Sequence, residues 1–157
     1  MQSKIKHYQK KMGLLPLNGS NHKVLVGGCF DLLHYGHLNF LKSAKDCGDF
    51  LLVALESDES ILKMKGALPI HTQQQRAEIL AELECVDRVL LLPSLSGFED
   101  YMDLVRSLSP QTLAVTSGDS QRANKQKQAD LIGAQLVVVN HLIEGLSSSI
   151  IRSKLMD

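Results

Sequence analysis

Apolar runs alternate along this chain with stretches in which apolar residues recur every three or four positions. The first run, Lys23–Gly28, is continuous and ends in glycines, which is typical of a strand buried on both faces of a sheet. A helical spacing follows at residues 36–47 and ends at Gly48. Further strands are predicted at Phe50–Leu55, 88–92, 112–115 and 135–139, and further helices at 73–83, 98–108, 126–132 and 147–156.

This alternation predicts an α/β fold with a five-stranded parallel sheet and helices on both faces. No break in composition divides residues 22–157, so they are predicted to form one domain. Residues 1–21 are rich in lysine, then in glycine and proline, and are predicted to form an N-terminal arm or short helix. Ligands of open α/β sheets bind beyond the carboxyl ends of the strands, so we expect the site there.

The charge balance excludes some classes of partner. The 157 residues carry 17 Lys+Arg and 17 Asp+Glu, so the formal net charge is zero. This removes the electrostatic reason to expect binding to nucleic acid or to an acidic membrane, and neither partner is predicted. A small phosphorylated ligand, which needs only a few local cations, stays compatible with the composition.

Cysteine usage and the first residues indicate the compartment. Cys29, Cys47 and Cys85 lack Cys-x-x-Cys spacing, which argues against a disulfide scaffold and against a zinc site. Residues 1–11 lack the apolar core of a signal peptide. The apolar runs are far shorter than the roughly 20 residues of a membrane span. We therefore expect a cytoplasmic protein.

The most informative stretch is residues 27–37, Gly-Gly-Cys-Phe-Asp-Leu-Leu-His-Tyr-Gly-His, which joins the first strand to the first helix. Glycines at a strand end let backbone approach a phosphate closely, and a helix N-terminus supplies N–H groups and a positive dipole. His34 and His37 add two imidazoles at the same point. The pattern favours phosphate binding. The Gly-x-Gly-x-x-Gly fingerprint is absent, which weakens the alternative of a nicotinamide-dependent oxidoreductase.

The motif His34-Tyr35-Gly36-His37, preceded by Gly-x-Phe-Asp, resembles the His-x-Gly-His signature of the cytidylyltransferase-like nucleotidyltransferases. Weaker matches follow in the family's order: Gly48-Asp49, Ser57-Asp58, Lys63-Met64-Lys65-Gly66, Gln75-Arg76, Val86-Asp87-Arg88-Val89, Gly118-Asp119 and the segment from Glu144 to Ile151. The resemblance implies a Rossmann-like HIGH-type fold. It also implies an enzyme that joins a nucleoside triphosphate to a phosphate monoester and releases pyrophosphate.

The resemblance, together with the need of such a transfer for positioning and charge stabilisation, gives the residues their expected roles. His37 is expected to donate a hydrogen bond to the α-phosphate, and His34 to hold a neighbouring oxygen. Lys65, with Lys63 as the alternative, would neutralise phosphate charge. Mg²⁺ is expected to arrive with the nucleotide, without a ligand set from the protein. The residues expected to bind nucleotide are Gly28, Cys29, Phe30, Asp31, Gly36, Lys63, Arg76, Gly118, Asp119, Ser147, Ser148 and Ser149.

Several of these residues also have a purely structural interpretation. The histidines could cap a helix, and Asp31 could stabilise a loop. The lysines could belong to a solvated loop, and Arg76 could pair with Glu78 or Glu82 on a helix surface. The serines could simply cap the last helix, which is compatible with phosphate binding because both use the same end.

Two subgroups of the family compete. One transfers AMP to a sugar phosphate, as in the nucleotidyltransferase half of ADP-heptose synthase, and the other transfers CMP to glycerol 3-phosphate or phosphoethanolamine. Leu142 stands where the CMP group typically has Arg, which favours ATP over CTP. The AMP group usually has Lys and Arg where this chain has Thr116 and Leu68, so another acceptor, or an inactive nucleotide-binding regulator, stays open. Family members are often dimers, which leaves a homodimer open.

Overall fold

A computed structural model describes residues 3–10, 22–140 and 147–156. Its centre is a parallel sheet of six strands in the order β1-β4-β3-β2-β5-β6. The strands are β1 (Ile5–His7), β2 (Lys23–Gly28), β3 (Phe50–Leu55), β4 (Arg88–Leu91), β5 (Thr112–Thr116) and β6 (Gln135–Asn140). The central strand β2 pairs with β3 on one side and β5 on the other, so the chain order reverses there.

Helices cover both faces of the sheet, as predicted. They are α1 (Tyr35–Lys45), α2 (Asp58–Lys65), α3 (Gln73–Ala81), α4 (Gly97–Leu108), α5 (Arg122–Ile132) and α6 (Ser148–Met156). Alternate residues of each strand point to opposite faces. Val24 and Val26 therefore pack in the core that includes α1 and α3, whereas Leu25 packs in the core that includes α4 and α5. Each face is thus closed by its own aliphatic cluster.

The sheet has one strand more than predicted, because Ile5–His7 forms β1 at the edge. Ile5 pairs with Val89 of β4, and Tyr8, directly after the strand, is buried in the α4/α5 core. The arm or short helix predicted for this stretch was wrong, since the lysines around Ile5 obscure a short edge strand. Residues 11–21 lie outside the described chain, and the start of the domain at residue 22 stays a prediction.

The sequence reading also missed α2, which carries both candidate lysines. Ser57 caps its first turn by accepting a hydrogen bond from the backbone N–H of Ser60, 3.1 Å away. Gly66 ends it in the left-handed conformation at φ 73°. Both signals are ordinary helix start and stop residues. The helix fixes Lys63 and Lys65 on a rigid element.

Among the described residues, no helix is long and apolar enough to cross a membrane.

Candidate active site

The loop between β2 and α1 turns sharply back on the strand that precedes it. Phe30 and Leu32 adopt left-handed backbone angles, φ 47° and 50°. The ring of Phe30 approaches Gly28 so closely that a Cβ there would lie 2.9 Å from it. Left-handed angles at non-glycine residues cost about 1–3 kcal/mol each and concentrate at functional sites. The strained backbone therefore fixes one path for the loop. This path places Gly28, Cys29 and Phe30 at the start of α1.

His34 and His37 form a reciprocal cap at the start of α1. The Nδ1 atom of His34 accepts from the backbone N–H groups of Gly36 and His37, at 3.0 and 3.4 Å. The Nδ1 atom of His37 accepts from the N–H of His34 at 3.3 Å. The two rings stack with their centroids 3.8 Å apart and an interplanar angle of 21°. Because both Nδ1 atoms are acceptors, each neutral ring carries its proton on Nε2.

Both rings are held in their neutral form. Burial lowers the pKa of His37 to about 4, and the nearby His34 and the charge of Lys65 act in the same direction against Asp31. Burial also lowers the pKa of His34. At neutral pH the pair therefore offers two Nε2–H donors. The capping and phosphate-binding interpretations are compatible, because they use different nitrogens of the same rings.

Asp31 ties the histidine loop to the segment after α2. Its Oδ2 accepts from the backbone N–H of Ile70 at 2.8 Å and its Oδ1 from that of His71 at 3.1 Å. The carboxylate is buried and also lies 3.8 Å from Nδ1 of His71. These contacts make Asp31 a loop clamp at the edge of the site.

Arg76 is the second tie between the loops and is only 1% exposed. Its Nη1 donates to the carbonyls of Cys29 and Glu56, at 2.7 and 3.0 Å. Its Nε donates to the carbonyl of His71 at 3.1 Å, and its Nη2 to the Asp58 carboxylate at 2.6 Å. Arg76 therefore pairs with Asp58 and not with Glu78 or Glu82 on the helix surface. Its buried guanidinium is not open to a phosphate. It positions the loops that follow β2 and β3.

The two candidate lysines of α2 lie in different surroundings. Lys63 forms an exposed ion pair with Glu59 at 2.8 Å and approaches Ser94. Lys65 instead lines a small cavity of about 30 Å³ together with Asp31, Ser149 and Arg152. Its charge also contributes to the lowered pKa of His37. The geometry therefore brings Lys65, and not Lys63, to the histidines.

The start of α6 supplies the hydroxyl side of this cavity. Ser147 caps the helix by accepting from the N–H of Ile150 at 3.1 Å, and Ser149 lines the cavity. Ser148 is the first residue of the helix, but its side chain lies outside what the structure describes. Leu142 and the rest of residues 141–146 also lie outside the described chain. A helix N-terminus with capping serines beside Lys65 is suited to an anionic group.

The pair after β5 lies at the same edge of the sheet but makes structural contacts. Asp119 accepts from the N–H of Gln121 at 2.8 Å and pairs with Lys125 at 2.6 Å. Gly118 is exposed beside it. These contacts fix the turn from β5 into α5. The structure does not bring Asp119 into contact with His34 or His37.

Sequence reasoning assigned no role in nucleotidyl transfer to three side chains near the site. Arg152 lines the cavity and donates to the carbonyl of Leu68 at 3.1 Å. It stands three residues after Ser149, on the same helix face, so its spacing could have revealed it. Glu56 directly follows β3, and its Oε1 accepts from the hydroxyl of Tyr101 at 2.8 Å. The position of Glu56 at the end of a strand was visible in the sequence. Its hydrogen bond to Tyr101 of α4 could be known only from the fold.

Comparison with known proteins decides the family. Residues 25–154 match the family model described as cytidylyltransferase-like. This chain belongs to the cytidylyltransferase-like family. The match confirms the predicted family and the nucleotidyltransferase class of enzyme. Members act on a nucleoside triphosphate together with a divalent metal ion. Among the described residues no group of three or more His, Cys, Asp or Glu side chains could hold a metal ion.

Curated relatives narrow the similarity within the cytidylyltransferase-like family. The chain is 39% identical over 136 residues to the bifunctional protein HldE of Wolinella succinogenes, covering 84% of this chain and 26% of that protein. It is 38% identical over 151 residues to HldE of Helicobacter hepaticus, covering 95% of this chain and 30% of the relative. The chain thus spans less than a third of the length of these two proteins.

Solved structures agree with the fold of this family member. A lipopolysaccharide core biosynthesis protein from Thermoplasma volcanium superposes with a TM-score of 0.62 at 27% identity, covering 80% of this chain and 98% of the other. A pantoate-beta-alanine ligase from Francisella tularensis superposes with a TM-score of 0.64 at 19% identity, covering 85% and 65%. The second likeness concerns the fold alone. Both confirm the predicted α/β Rossmann-like architecture.

Proposed function

We propose that this protein transfers AMP from ATP to the phosphate of a sugar phosphate and releases pyrophosphate. The observation that carries the proposal is the histidine cap, in which two neutral rings keep their Nε2–H donors beside the cation of Lys65. Neutral N–H donors beside a cation stabilise an oxygen that gains negative charge. A phosphorus centre that gains negative oxygens in its transition state is stabilised by this arrangement.

In this mechanism an acceptor phosphate oxygen attacks the α-phosphorus of ATP, and the bond from that phosphorus to the bridging oxygen of the β-phosphate breaks. The electron pair leaves with pyrophosphate, so no protein side chain needs to form a covalent bond. His37 donates to the α-phosphate as it becomes five-coordinate, and His34 donates to a neighbouring oxygen. Neutral donors suit this role because they stabilise the developing charge without giving up their proton.

The leaving group is handled by the cavity beside Asp31. Lys65 and Arg152 bring two positive charges to its wall, and Ser149 brings a hydroxyl at the start of α6. Pyrophosphate would be held there, with the dipole of α6 adding to the cationic charge. Gly28, Cys29 and Phe30 supply backbone at the mouth of α1. Gly118 and Asp119 shape the nucleotide side, while Asp31 and Arg76 act by holding the loops in place.

The metal in this proposal is Mg²⁺, which would arrive with the nucleotide and would offset phosphate charge. The described residues fit an ion held mainly by nucleotide and water, because Asp31, the carboxylate that lines the cavity, already accepts two backbone N–H groups. Binding would therefore occur as the metal–nucleotide complex, without a resident metal site.

Sugar phosphate as the acceptor rests on the HldE relatives and on the resemblance to the ADP-heptose synthase half. The test is pyrophosphate release with ATP or CTP and Mg²⁺ over a panel of sugar 1-phosphates, glycerol 3-phosphate and phosphoethanolamine. We expect turnover with ATP and a sugar phosphate. Turnover only with CTP and an alcohol phosphate would reassign the reaction. Nucleotide binding without pyrophosphate release from any pair would point instead to an inactive regulator.

A further inference from the structure

The central strand β2 is left uncovered on one face at Gly27. Leu25 packs under α4 and α5, and strand side chains alternate, so Gly27 faces the same side. Although β2 lies between β3 and β5, Gly27 is exposed, and within the described chain a Cβ there would meet only the carbonyl oxygen of Ala54, at 3.8 Å. A glycine with open space above a central strand is typical of close approach by a ligand. It lies where the strand order reverses, the usual ligand position in such sheets.

Glu56 forms the wall of this groove. Gly27 pairs with Ala54 on β3, and Glu56 stands two residues further along, so its side chain lies on the same face. Its backbone N–H donates to the carbonyl of Gly28 at 3.0 Å, which fixes its position against the histidine loop. Tyr101, on α4, orients the carboxylate through its 2.8 Å bond to Oε1.

The fold compensates the burial of this carboxylate only in part, through the Tyr101 hydroxyl on Oε1 and the nearby Ser60 side chain. Glu56 is only 8% exposed, and among the described residues its buried Oε2 has no hydrogen-bond partner. The two cations that influence it are committed elsewhere, Lys125 to Asp119 and Arg76 to Asp58. Leaving a buried polar oxygen unpaired is costly, and native proteins rarely do so without a functional reason. A ligand lying over Gly27 is a group that would supply this donor.

We propose that Glu56 is the specificity residue for the acceptor, and that its free oxygen accepts a hydrogen bond from a hydroxyl group of a sugar phosphate lying over Gly27. The inference rests on the proposed function, since it names what part of the acceptor that site recognises. The proposal requires the carboxylate to turn so that Oε2, which is buried in the free protein, meets the sugar hydroxyl. Tyr101 is a positioning residue that holds the other oxygen.

The placement separates the two substrates. Lys65, Ser149 and Arg152 surround the cavity beside Asp31, whereas the groove over Gly27 opens on the face of α4 and α5. Glu56 directly follows β3, and this strand lies on the far side of β2 from β5, whose loop carries Asp119. The triphosphate and the body of the acceptor thus reach the histidine loop from different sides. A hydroxyl donor fits the proposed acceptor, since a sugar phosphate carries hydroxyl groups and no ammonium group.

The test measures equilibrium binding by calorimetry, with heptose 1-phosphate and mannose 1-phosphate as probes and ethyl phosphate as the probe that lacks hydroxyls. Glu56→Gln keeps the size and the bond to Tyr101 but loses the charge-assisted acceptor. We expect it to weaken sugar phosphate binding about tenfold while ethyl phosphate and Mg·ATP bind as before. Glu78→Gln, an exposed position on α3, is the matched control and should leave all affinities unchanged.

Gly27→Ala is the second variant, because the strand has room for the added methyl group and the groove would lose that space. We expect it to weaken sugar phosphate binding with an unchanged melting temperature. Sugar phosphate binding that is equal in wild type and Glu56→Gln, or absent in wild type, would overturn the inference. So would an equal loss for ethyl phosphate, which indicates a structural role, or a loss for ATP, which indicates contact with ribose. A different result would contradict the proposed function: the sugar phosphate binds, but no pyrophosphate is released.

Discussion

His34 and His37 cap one helix with the same atom: the Nδ1 of each ring accepts a backbone N–H from the residue that carries the other ring. This exchange fixes both rings without using their Nε2–H groups. The site is therefore pre-organised before substrate arrives, since the rings need not reorient or change charge. Pre-organised donors are the main source of transition-state stabilisation in reactions of this type.

Replacing His37 by Ala should lower kcat about 100-fold or more, because one donor to the α-phosphate is lost. The same change removes a cap worth roughly 1 kcal/mol of unfolding free energy, so the protein should stay folded. Steady-state pyrophosphate release and a melting curve check both parts. His7→Ala, at an exposed position of β1, serves as the control. Undiminished turnover of the His37 variant would remove His37 from the mechanism.

Acid should destabilise the protein through His37. Its pKa is about 4 in the folded chain against an ordinary value of 6.5, so between these values the unfolded chain binds the proton and the folded chain does not. Stability that is present above pH 6.5 is therefore lost as the pH falls toward 4. Melting temperatures across this range should fall less steeply in a His37→Asn variant. NMR titration of the ring protons gives the pKa directly, and a value near 6.5 would contradict the burial argument.

The two lysines of α2 provide a matched pair. Lys65→Ala removes a cation from the cavity beside Asp31, and we expect kcat/KM for Mg·ATP to fall by about tenfold to 100-fold. Lys63→Ala only removes an exposed ion pair with Glu59, which is worth at most about 1 kcal/mol of stability. Kinetics of the two variants under the same conditions decide between them. An equal loss in both would mean that the helix turns or shifts when nucleotide binds.

Arg76→Met should lower the free energy of unfolding by about 3–5 kcal/mol, because it leaves the carboxylate of Asp58 and three loop carbonyls without their donor. Denaturant unfolding measures this loss. Arg106→Met is the control, since Arg106 is exposed and forms only a 3.6 Å contact with Asp103. A small effect at Arg76 would mean that water replaces the guanidinium in the loop.

The sequence predicted the parts of the fold that depend on local pattern. The strands Lys23–Gly28 and Phe50–Leu55 have the predicted bounds, because continuous apolar runs between turn residues leave little choice. The edge strand Ile5–His7 escaped because it is three residues long and flanked by lysines. Helix α2 escaped because its apolar face is narrow, although its cap residues were visible.

The residues of the site were predictable from the sequence, but their separate roles were not. The glycine and histidine pattern located the loop, since its residues are neighbours in sequence. The clamping roles of Asp31 and Arg76 depend on contacts with residues 39 and 47 positions away. Residue pairs this far apart leave no local signal in the sequence. The unpaired Oε2 of Glu56 leaves none either, because it results from the packing of β3 against α4.

The reciprocal cap has a consequence for how these histidines can change over evolutionary time. A lineage that lost nucleotidyl transfer would still gain stability from both Nδ1 atoms at the start of α1, so selection for folding would continue to favour the motif. Lys65 and Arg152 have no such second duty at the start of α1. In a copy of this domain that has lost its activity, the cations of the cavity would be substituted first and the histidines last.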